Sequence, residues 1–195
     1  MNRRQLIGLA LPLIAAPTLV LAQNAPARNA PAGNAAAART DPYQPTEVPI
    51  REGFEPGSII VVSDKFFLYH VIAPGRAIRY GVAVGQAELV WKGKARVGRK
   101  VEWPSWRPTP QMIERNPGQY ARYKDGMPGG PRNPLGARAL YLYDANGNDT
   151  AIRIHGTTEP GSIGRAVSNG CIRMRNEAVM ALFEQVPLGT PVYVF

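Results

Sequence analysis

One stretch of the sequence indicates the fold class: Ser58-Ile-Ile-Val-Val-Ser-Asp-Lys-Phe-Phe-Leu-Tyr-His-Val-Ile-Ala-Pro-Gly-Arg-Ala-Ile-Arg-Tyr-Gly-Val-Ala-Val84. It contains three apolar runs, rich in β-branched and aromatic residues, which begin at Ser58, Phe66 and Ala77. A polar turn and a Pro-Gly turn separate the runs, and short runs at this spacing are typical of an antiparallel meander. The stretch therefore predicts a mainly β domain.

The chain after this stretch continues the β pattern and adds one clear helix. The Asn146-Gly147 pair is a strong hairpin signal between two of the later apolar runs. Asn176 to Gln185 carries apolar residues at helical spacing, with Asn176 as the expected N-cap. Further strands are predicted at 95–102, 138–143, 149–154 and 191–195, a short helix at 108–115, and a long Gly- and Pro-rich loop from Asn116 to Pro134.

The N-terminus reads as a targeting segment. Arg3 and Arg4 precede a short apolar stretch interrupted by prolines, and cleavage is expected after Ala22. We therefore predict a signal peptide at 1–22, export to the periplasm, and a possible Tat route because of the paired arginines. A retained membrane anchor is the alternative, although the apolar run is short for a bilayer span.

Residues 23–56 are rich in Ala, Pro and Asn and poor in large apolar side chains. Such a segment buries too little surface to offset its ordering entropy, so we predict a disordered tether there. The folded domain is expected at 57–195, which is enough chain for one domain with a real core.

The formal net charge of +9 favours an anionic partner, such as cell-wall polymer, a membrane surface or nucleic acid. Nucleic acid is the weak alternative, because no basic stripe interleaved with aromatics and no binding motif is visible. One cysteine and two histidines are too few for a structural metal site, and a lone cysteine cannot form an intrachain disulfide. We therefore expect no metal and no cofactor.

The scarce residues converge on one part of the chain. His155 ends a predicted strand, and Cys171 lies sixteen positions later in a polar turn before the helix. An imidazole is the side chain best suited to activate a thiol. From the residues alone, an inert buried cysteine and a Cys-His nucleophilic site both remain open.

Other residues are interpreted around this pair. The backbone N–H groups near Gly170 could stabilise an oxyanion, and Arg173 could hold a carboxylate. For His70, in an apolar strand, we expect no functional role. The three tryptophans, Trp91, Trp103 and Trp106, could form a sugar-stacking platform, although packing is the more ordinary explanation.

Two stretches then resemble a known family. His155-Gly156-Thr157 and Ser168-Asn169-Gly170-Cys171-Ile172-Arg173-Met174 resemble the signature of the YkuD-type L,D-transpeptidases. Residues 101–110 and 133–140 are similar to segments of the Gram-negative periplasmic branch, which includes ErfK, YbiS, YcfS and YnhG. The resemblance covers nearly all of 57–195.

The resemblance implies a β-sandwich-like catalytic domain whose cysteine lies beneath a lid loop. It implies that Cys171 forms a thioester with a peptidoglycan tetrapeptide stem and that His155, oriented by the Gly156 carbonyl, moves the proton. Ser168, Asn169 and Arg173 are expected beside the substrate or the oxyanion. Many members have His where this chain has Asn169, which puts a second imidazole in doubt.

The reaction's outcome stays open at this stage. The acyl acceptor could be a second stem, giving a 3-3 cross-link, or an outer-membrane protein. A hydrolase using the same site and a non-catalytic wall-binding module are the alternatives. No partner chain is expected, so we predict a monomer.

Overall fold

The computed structural model describes residues 41–195, and the predicted signal peptide lies outside this range. The strands are β1 (Thr46–Pro49), β2 (Ile59–Val62), β3 (Phe67–Ala73), β4 (Arg76–Gly81), β5 (Val84–Gly85), β6 (Gly93–Glu102), β7 (Arg138–Tyr143), β8 (Asp149–His155), β9 (Ala166–Ser168), β10 (Ile172–Arg173) and β11 (Pro191–Val194). The helices are α1 (Pro110–Arg115), α2 (Pro117–Tyr120) and α3 (Asn176–Gln185). The predicted mainly β class is confirmed.

Nine strands form one mixed sheet in the order β1-β4-β3-β2-β11-β6-β7-β8-β10. The predicted meander is present, because β2, β3 and β4 pair antiparallel in succession. The β7–β8 hairpin is also present, and Asp144 closes its turn by accepting hydrogen bonds from the N–H groups of Asn146 and Asn148 at 2.9 and 2.8 Å. Only β10 with β8 and β11 with β2 pair in parallel within this sheet.

The sheet folds back on itself. Ala83, which follows β4, exchanges two backbone hydrogen bonds of 2.9 and 2.8 Å with Arg173 in the edge strand β10. The second, two-stranded sheet pairs β5 with β9 beside this contact. Opposite ends of the large sheet are thereby brought together around a shared interior.

One hydrophobic core fills that interior. Leu68 and Tyr80 from the meander, Leu140 and Ile154 from the hairpin, and Leu182 from α3 are all essentially inaccessible to solvent. The burial alternates in β11, where Val192 and Val194 point inward, whereas β7 is buried over the four consecutive residues from Ala139 to Leu142. The helix predicted after Cys171 closes one side of this core through its apolar face.

The predicted extent of the tether, 23–56, is wrong from residue 41 onward. β1 pairs antiparallel with β4, and the side chain of Tyr43 fills the space that a Cβ would need at Gly81 and Gly164. Asp41 forms an ion pair with Arg175. The sequence pattern for β1 is weak because Pro45 precedes the strand and Pro49 ends it. Proline is tolerated at these positions because β1 lies at the edge of the sheet.

Two local predictions also need correction. Arg175, with an extended backbone, is the N-cap of α3, while the Asn176 side chain is used elsewhere. The expected loop from Asn116 to Pro134 contains α2 and a 3₁₀ turn at Ala121–Tyr123. Asn116 caps α2 by accepting a hydrogen bond from the N–H of Gln119, so a residue expected to begin the loop begins a helix instead.

Candidate active site

The register of β8 and β10 brings four polar side chains to one face of the sheet. Ile172 lies opposite Ile154, and Arg173 lies opposite His155. In a parallel pair, residues in register point to the same face. The two isoleucines are buried in the core, so His155, Arg173, and their neighbours Arg153 and Cys171 face the opposite side.

His155 is buried and held by its own backbone neighbour. Its Nδ1 lies 2.6 Å from the carbonyl oxygen of Gly156. A carbonyl only accepts, so Nδ1 carries the proton and Nε2 keeps its lone pair. Burial and the positive charge of Arg173 lower the pKa of His155 to about 4. The ring is therefore neutral near neutral pH, although backbone hydrogen bonds with Gly156 and Leu135 act to raise its pKa.

Cys171 is a free thiol immediately before β10. Burial raises the pKa of the Cys171 thiol, while a hydrogen bond from the Arg153 backbone and the charges of Arg153 and Arg173 act in the opposite direction. The sulfur also lies 3.8 Å from the carbonyl oxygen of Ala151. Cys171 is consequently a protonated thiol at rest, rather than a preformed thiolate.

The turn before Cys171 is fixed by Ser168. Its Oγ donates to the carbonyl of Cys171 at 2.6 Å and accepts from the N–H of Gly170 at 3.2 Å. The Gly170 N–H is thus engaged within the turn. The N–H of Cys171 has no backbone or side-chain acceptor among residues 41–195, so it is the better oxyanion donor.

Glycine is required at position 170 for a conformational reason. Its φ of +117° lies in a region that other residues rarely adopt. A Cβ there would also lie 3.1 Å from the carbonyl oxygen of Leu89. The residue therefore sets the direction in which the nucleophile leaves the turn.

Asn176 supports the histidine side of the site, a role that sequence reasoning missed. Its Oδ1 accepts from the N–H of Ala137 at 3.0 Å, and its Nδ2 donates to the carbonyl of Thr157 at 3.1 Å. The amide occupies the space that a side chain at Gly156 would need. No local sequence pattern predicts this role, because Asn176 contacts Ala137 and Thr157, which are distant from it in the sequence.

Arg153 is a second residue that the sequence did not single out. Its guanidinium makes two hydrogen bonds to Asp149, at 2.6 and 2.8 Å, and lies 4.2 Å from the ring centroid of Tyr141. The hydrogen bonds to Asp149 and the stacking on Tyr141 hold the guanidinium in one position. Its position two residues before His155 in a strand was the available signal, because such residues share a face.

Arg173 forms an ion pair with Glu159, with 3.1 Å between Nη1 and Oε2. The arginine side chain is mostly buried, whereas Glu159 is 71% exposed. An exposed carboxylate contributes little net stability to such a pair and can be replaced by a substrate carboxylate. This position agrees with the expected placement of Arg173 beside the site.

A cavity of about 500 Å³ opens above these residues. Cys171, His155 and Arg173 line one side of it, and the segment between β6 and β7, residues 103–137, lines the other. Of the three tryptophans, all within the described range, only Trp106 reaches the cavity, where its ring packs against Tyr120 and Tyr123. The three tryptophans therefore do not form one platform.

Asn169 joins the two sides of the cavity. Its Nδ2 donates to the hydroxyl of Tyr120 at 3.1 Å, and its Oδ1 accepts from Arg115 at 3.0 Å. Asn169 therefore links the turn before Cys171 to the β6–β7 segment.

Three expectations made outside this cavity can be placed. His70 is buried in β3 opposite Ile59 and does not line the cavity. Within residues 41–195, no group of three or more His, Cys, Asp or Glu side chains is arranged to hold a metal ion. In the same range, no helix is long and apolar enough to cross a bilayer.

Comparisons with known proteins identify the family of this chain. The L,D-transpeptidase catalytic domain family, YkuD, matches residues 56–194, so the chain belongs to this family. A protein of Fuscovulum blasticum, named as an L,D-transpeptidase in the ATP synthase subunits region, is 43% identical over 55% of this chain and 51% of its own length. The probable L,D-transpeptidase YbiS of Escherichia coli K12 is 32% identical over 76% of this chain and 47% of its own. The chain spans about half the length of these curated relatives.

Solved structures give the same fold. A crystal structure from Brucella melitensis, described as a probable carnitine operon oxidoreductase caia, is 51% identical with a TM-score of 0.54, over 77% of this chain and 92% of that one. A mutant of the Enterococcus faecium L,D-transpeptidase is 19% identical with a TM-score of 0.54, over 73% and 50%. The second likeness shows the fold alone.

Proposed function

We propose that this chain is an exported L,D-transpeptidase that acts on peptidoglycan tetrapeptide stems through a thioester on Cys171. Family membership supports the reaction type. The observation that carries the proposal is that His155, whose Nδ1 lies 2.6 Å from the Gly156 carbonyl oxygen, lines the same cavity as the free thiol of Cys171.

The acylation step follows from these protonation states. As the sulfur of Cys171 attacks the carbonyl of the stem's diaminopimelate residue, its proton passes to Nε2 of His155. The developing oxyanion accepts a hydrogen bond from the Cys171 N–H. The C–N bond then breaks, D-alanine leaves with the proton from the imidazolium, and a thioester remains.

An amine resolves the thioester in the second half of the reaction. The amine attacks the thioester carbonyl and loses a proton to His155, and the C–S bond breaks to return the protonated thiol. A second stem as acceptor gives a 3-3 cross-link, and an outer-membrane protein as acceptor gives an anchored protein. With water as acceptor, the same site is a hydrolase.

Acylation of the thiol is the first test. A carbapenem is expected to add once to the full-length mature protein and to fail with Cys171→Ala, as read by intact mass. His155→Gln should slow the addition by about a hundredfold or more, because general base catalysis is lost. No adduct on the wild-type protein, or an adduct that persists in Cys171→Ala, contradicts the proposal and favours a wall-binding module.

Incubation with purified tetrapeptide stems then separates the outcomes. Cross-linked dimers, detected by mass spectrometry, are expected for a transpeptidase. Trimmed tripeptide stems without dimers would instead indicate a hydrolase. Periplasmic location is tested separately by cell fractionation, with a mature N-terminus at Gln23 as the expected product of signal cleavage.

A further inference from the structure

The charge lining the cavity is strongly unbalanced. Its acidic and basic side chains comprise one glutamate, Glu159, and six arginines: Arg107, Arg115, Arg122, Arg132, Arg153 and Arg173. A cavity lined by one sign of charge attracts ligands of the other sign. The imbalance therefore points to an anionic ligand.

The imbalance lies on the side of the β6–β7 segment. On the sheet side, Arg153 is paired with Asp149 and Arg173 with Glu159. None of the six ion pairs within residues 41–195 involves an arginine of the β6–β7 segment that lines the cavity. These guanidinium groups therefore form no ion pair with a carboxylate of residues 41–195.

Two of them have their hydrogen-bonding groups available. Arg107 donates to the carbonyl of Lys124, and Arg115 donates to Asn169, so both have structural contacts. Arg122 lies 4.7 Å above the ring centroid of Tyr123, a stacking contact that leaves its N–H edges free. Arg132 makes no side-chain hydrogen bond or ion pair with the described residues.

Solvated surface arginines are common, so exposure alone does not indicate a ligand site. Arg122 and Arg132, however, line the same cavity as Cys171, and neither forms an ion pair with a carboxylate of residues 41–195. We propose that Arg122 and Arg132 form a carboxylate-binding subsite that selects stem peptides with free carboxyl groups over amidated ones. The inference rests on the proposed function, because it assumes a peptide bound at Cys171. A guanidinium matches a carboxylate with two parallel hydrogen bonds, and a carboxamide cannot accept both.

Binding measured without turnover tests this subsite. The full chain carrying Cys171→Ala is titrated by calorimetry with two synthetic tetrapeptide stems. One has free carboxyl groups on its D-glutamate and diaminopimelate residues, and the other has carboxamides there. We expect the free-acid stem to bind about tenfold or more tightly, and we expect this preference to weaken at high salt.

Substitutions locate the preference. In the Cys171→Ala background, Arg122→Gln with Arg132→Gln should reduce the ratio of the two affinities to near one. Arg132→Lys should keep part of it, since a lysine keeps the charge without the planar fork. Arg51→Gln is the matched control, because Arg51 is exposed and lies outside the cavity. It should leave the ratio unchanged.

The outcomes separate this inference from the proposed function. Equal affinity for the two stems, no binding of either, or a preference that survives the double substitution overturns the subsite. Failure of the wild-type protein to form an acyl-enzyme with the free-acid stem overturns the transpeptidase, even where the binding preference persists.

Discussion

At the scale of single residues, the protonation states of His155 and Cys171 decide the order of events. A low imidazole pKa and a raised thiol pKa mean that neither group is charged near neutral pH. The proton must therefore move as the sulfur attacks, rather than beforehand. This arrangement also protects the thiol, because the thiol form reacts far more slowly with oxidants than a thiolate does.

Arg173 controls the acid limit of this chemistry. Its charge is the second cause of the lowered pKa of His155, after burial. Arg173→Gln should raise that pKa from about 4 toward, but not to, its ordinary value of 6.5, because the burial remains. His155 is the active base only above its pKa, so the acid limb of the acylation rate should move to higher pH.

The measurement is the rate of carbapenem acylation between pH 3.5 and 8. Arg173→Lys keeps a positive charge and should leave the acid limb near its original position, even if the rate falls. An acid limb that stays in place for Arg173→Gln would show that burial alone sets the pKa of His155.

At the scale of elements, the strands and α3 were predictable, whereas the surroundings of the site were only partly so. Apolar β-branched runs mark β2 and β3 because local composition reports burial. β1 has prolines and few apolar residues, and its place depends on a pairing with β4 that no local pattern encodes. Cys171 was visible through scarcity and a family signature, but Asn176 and Arg153 act through contacts that exist only after folding.

The β6–β7 segment depends on one such contact. The amide of Asn169 binds both Arg115 at the end of α1 and Tyr120 at the end of α2. Asn169→Ala removes both hydrogen bonds, each of which contributes on the order of 1 kcal/mol. Local opening of α1 and α2 should then increase, and tryptic cleavage after Arg115 and Arg122 should accelerate by about tenfold.

Tyr120→Phe removes only one of the two bonds and should accelerate cleavage by a smaller factor. Combining it with Asn169→Ala should add little, because the single substitution already breaks the same contact. Cleavage rates that match the wild-type protein in Asn169→Ala would mean that Trp106 and its aromatic neighbours hold the segment without the amide.

At the scale of the whole molecule, catalysis and stability draw on the same burial. β8 carries Ile154 into the core and His155 to the cavity wall, and the imidazole of His155 is almost inaccessible to solvent. His70 is buried on β3, and burial also lowers its pKa. Both rings are neutral in the folded protein at a pH where the unfolded chain binds protons. Folding stability is therefore coupled to the titration of these histidines.

The sign of this coupling gives a prediction. The unfolded state takes up a proton at His155 below pH 6.5, while the folded state does so only near pH 4, so stability falls as the pH drops through this window. Between pH 7 and pH 5 we expect His155 to account for a loss of about 2 kcal/mol in the free energy of unfolding, measured by urea denaturation monitored by tryptophan fluorescence.

Two substitutions test this assignment. His155→Gln, compared over the same range, should reduce the pH dependence of the free energy of unfolding by that amount, and His70→Gln should reduce the remainder. Carboxylates with lowered pKa values, such as Asp41 and Asp144, act at more acidic pH and leave this window to the histidines. An unchanged pH dependence in His155→Gln would show that His155 has the same pKa in the folded and the unfolded chain, which would contradict the lowered pKa of the buried ring.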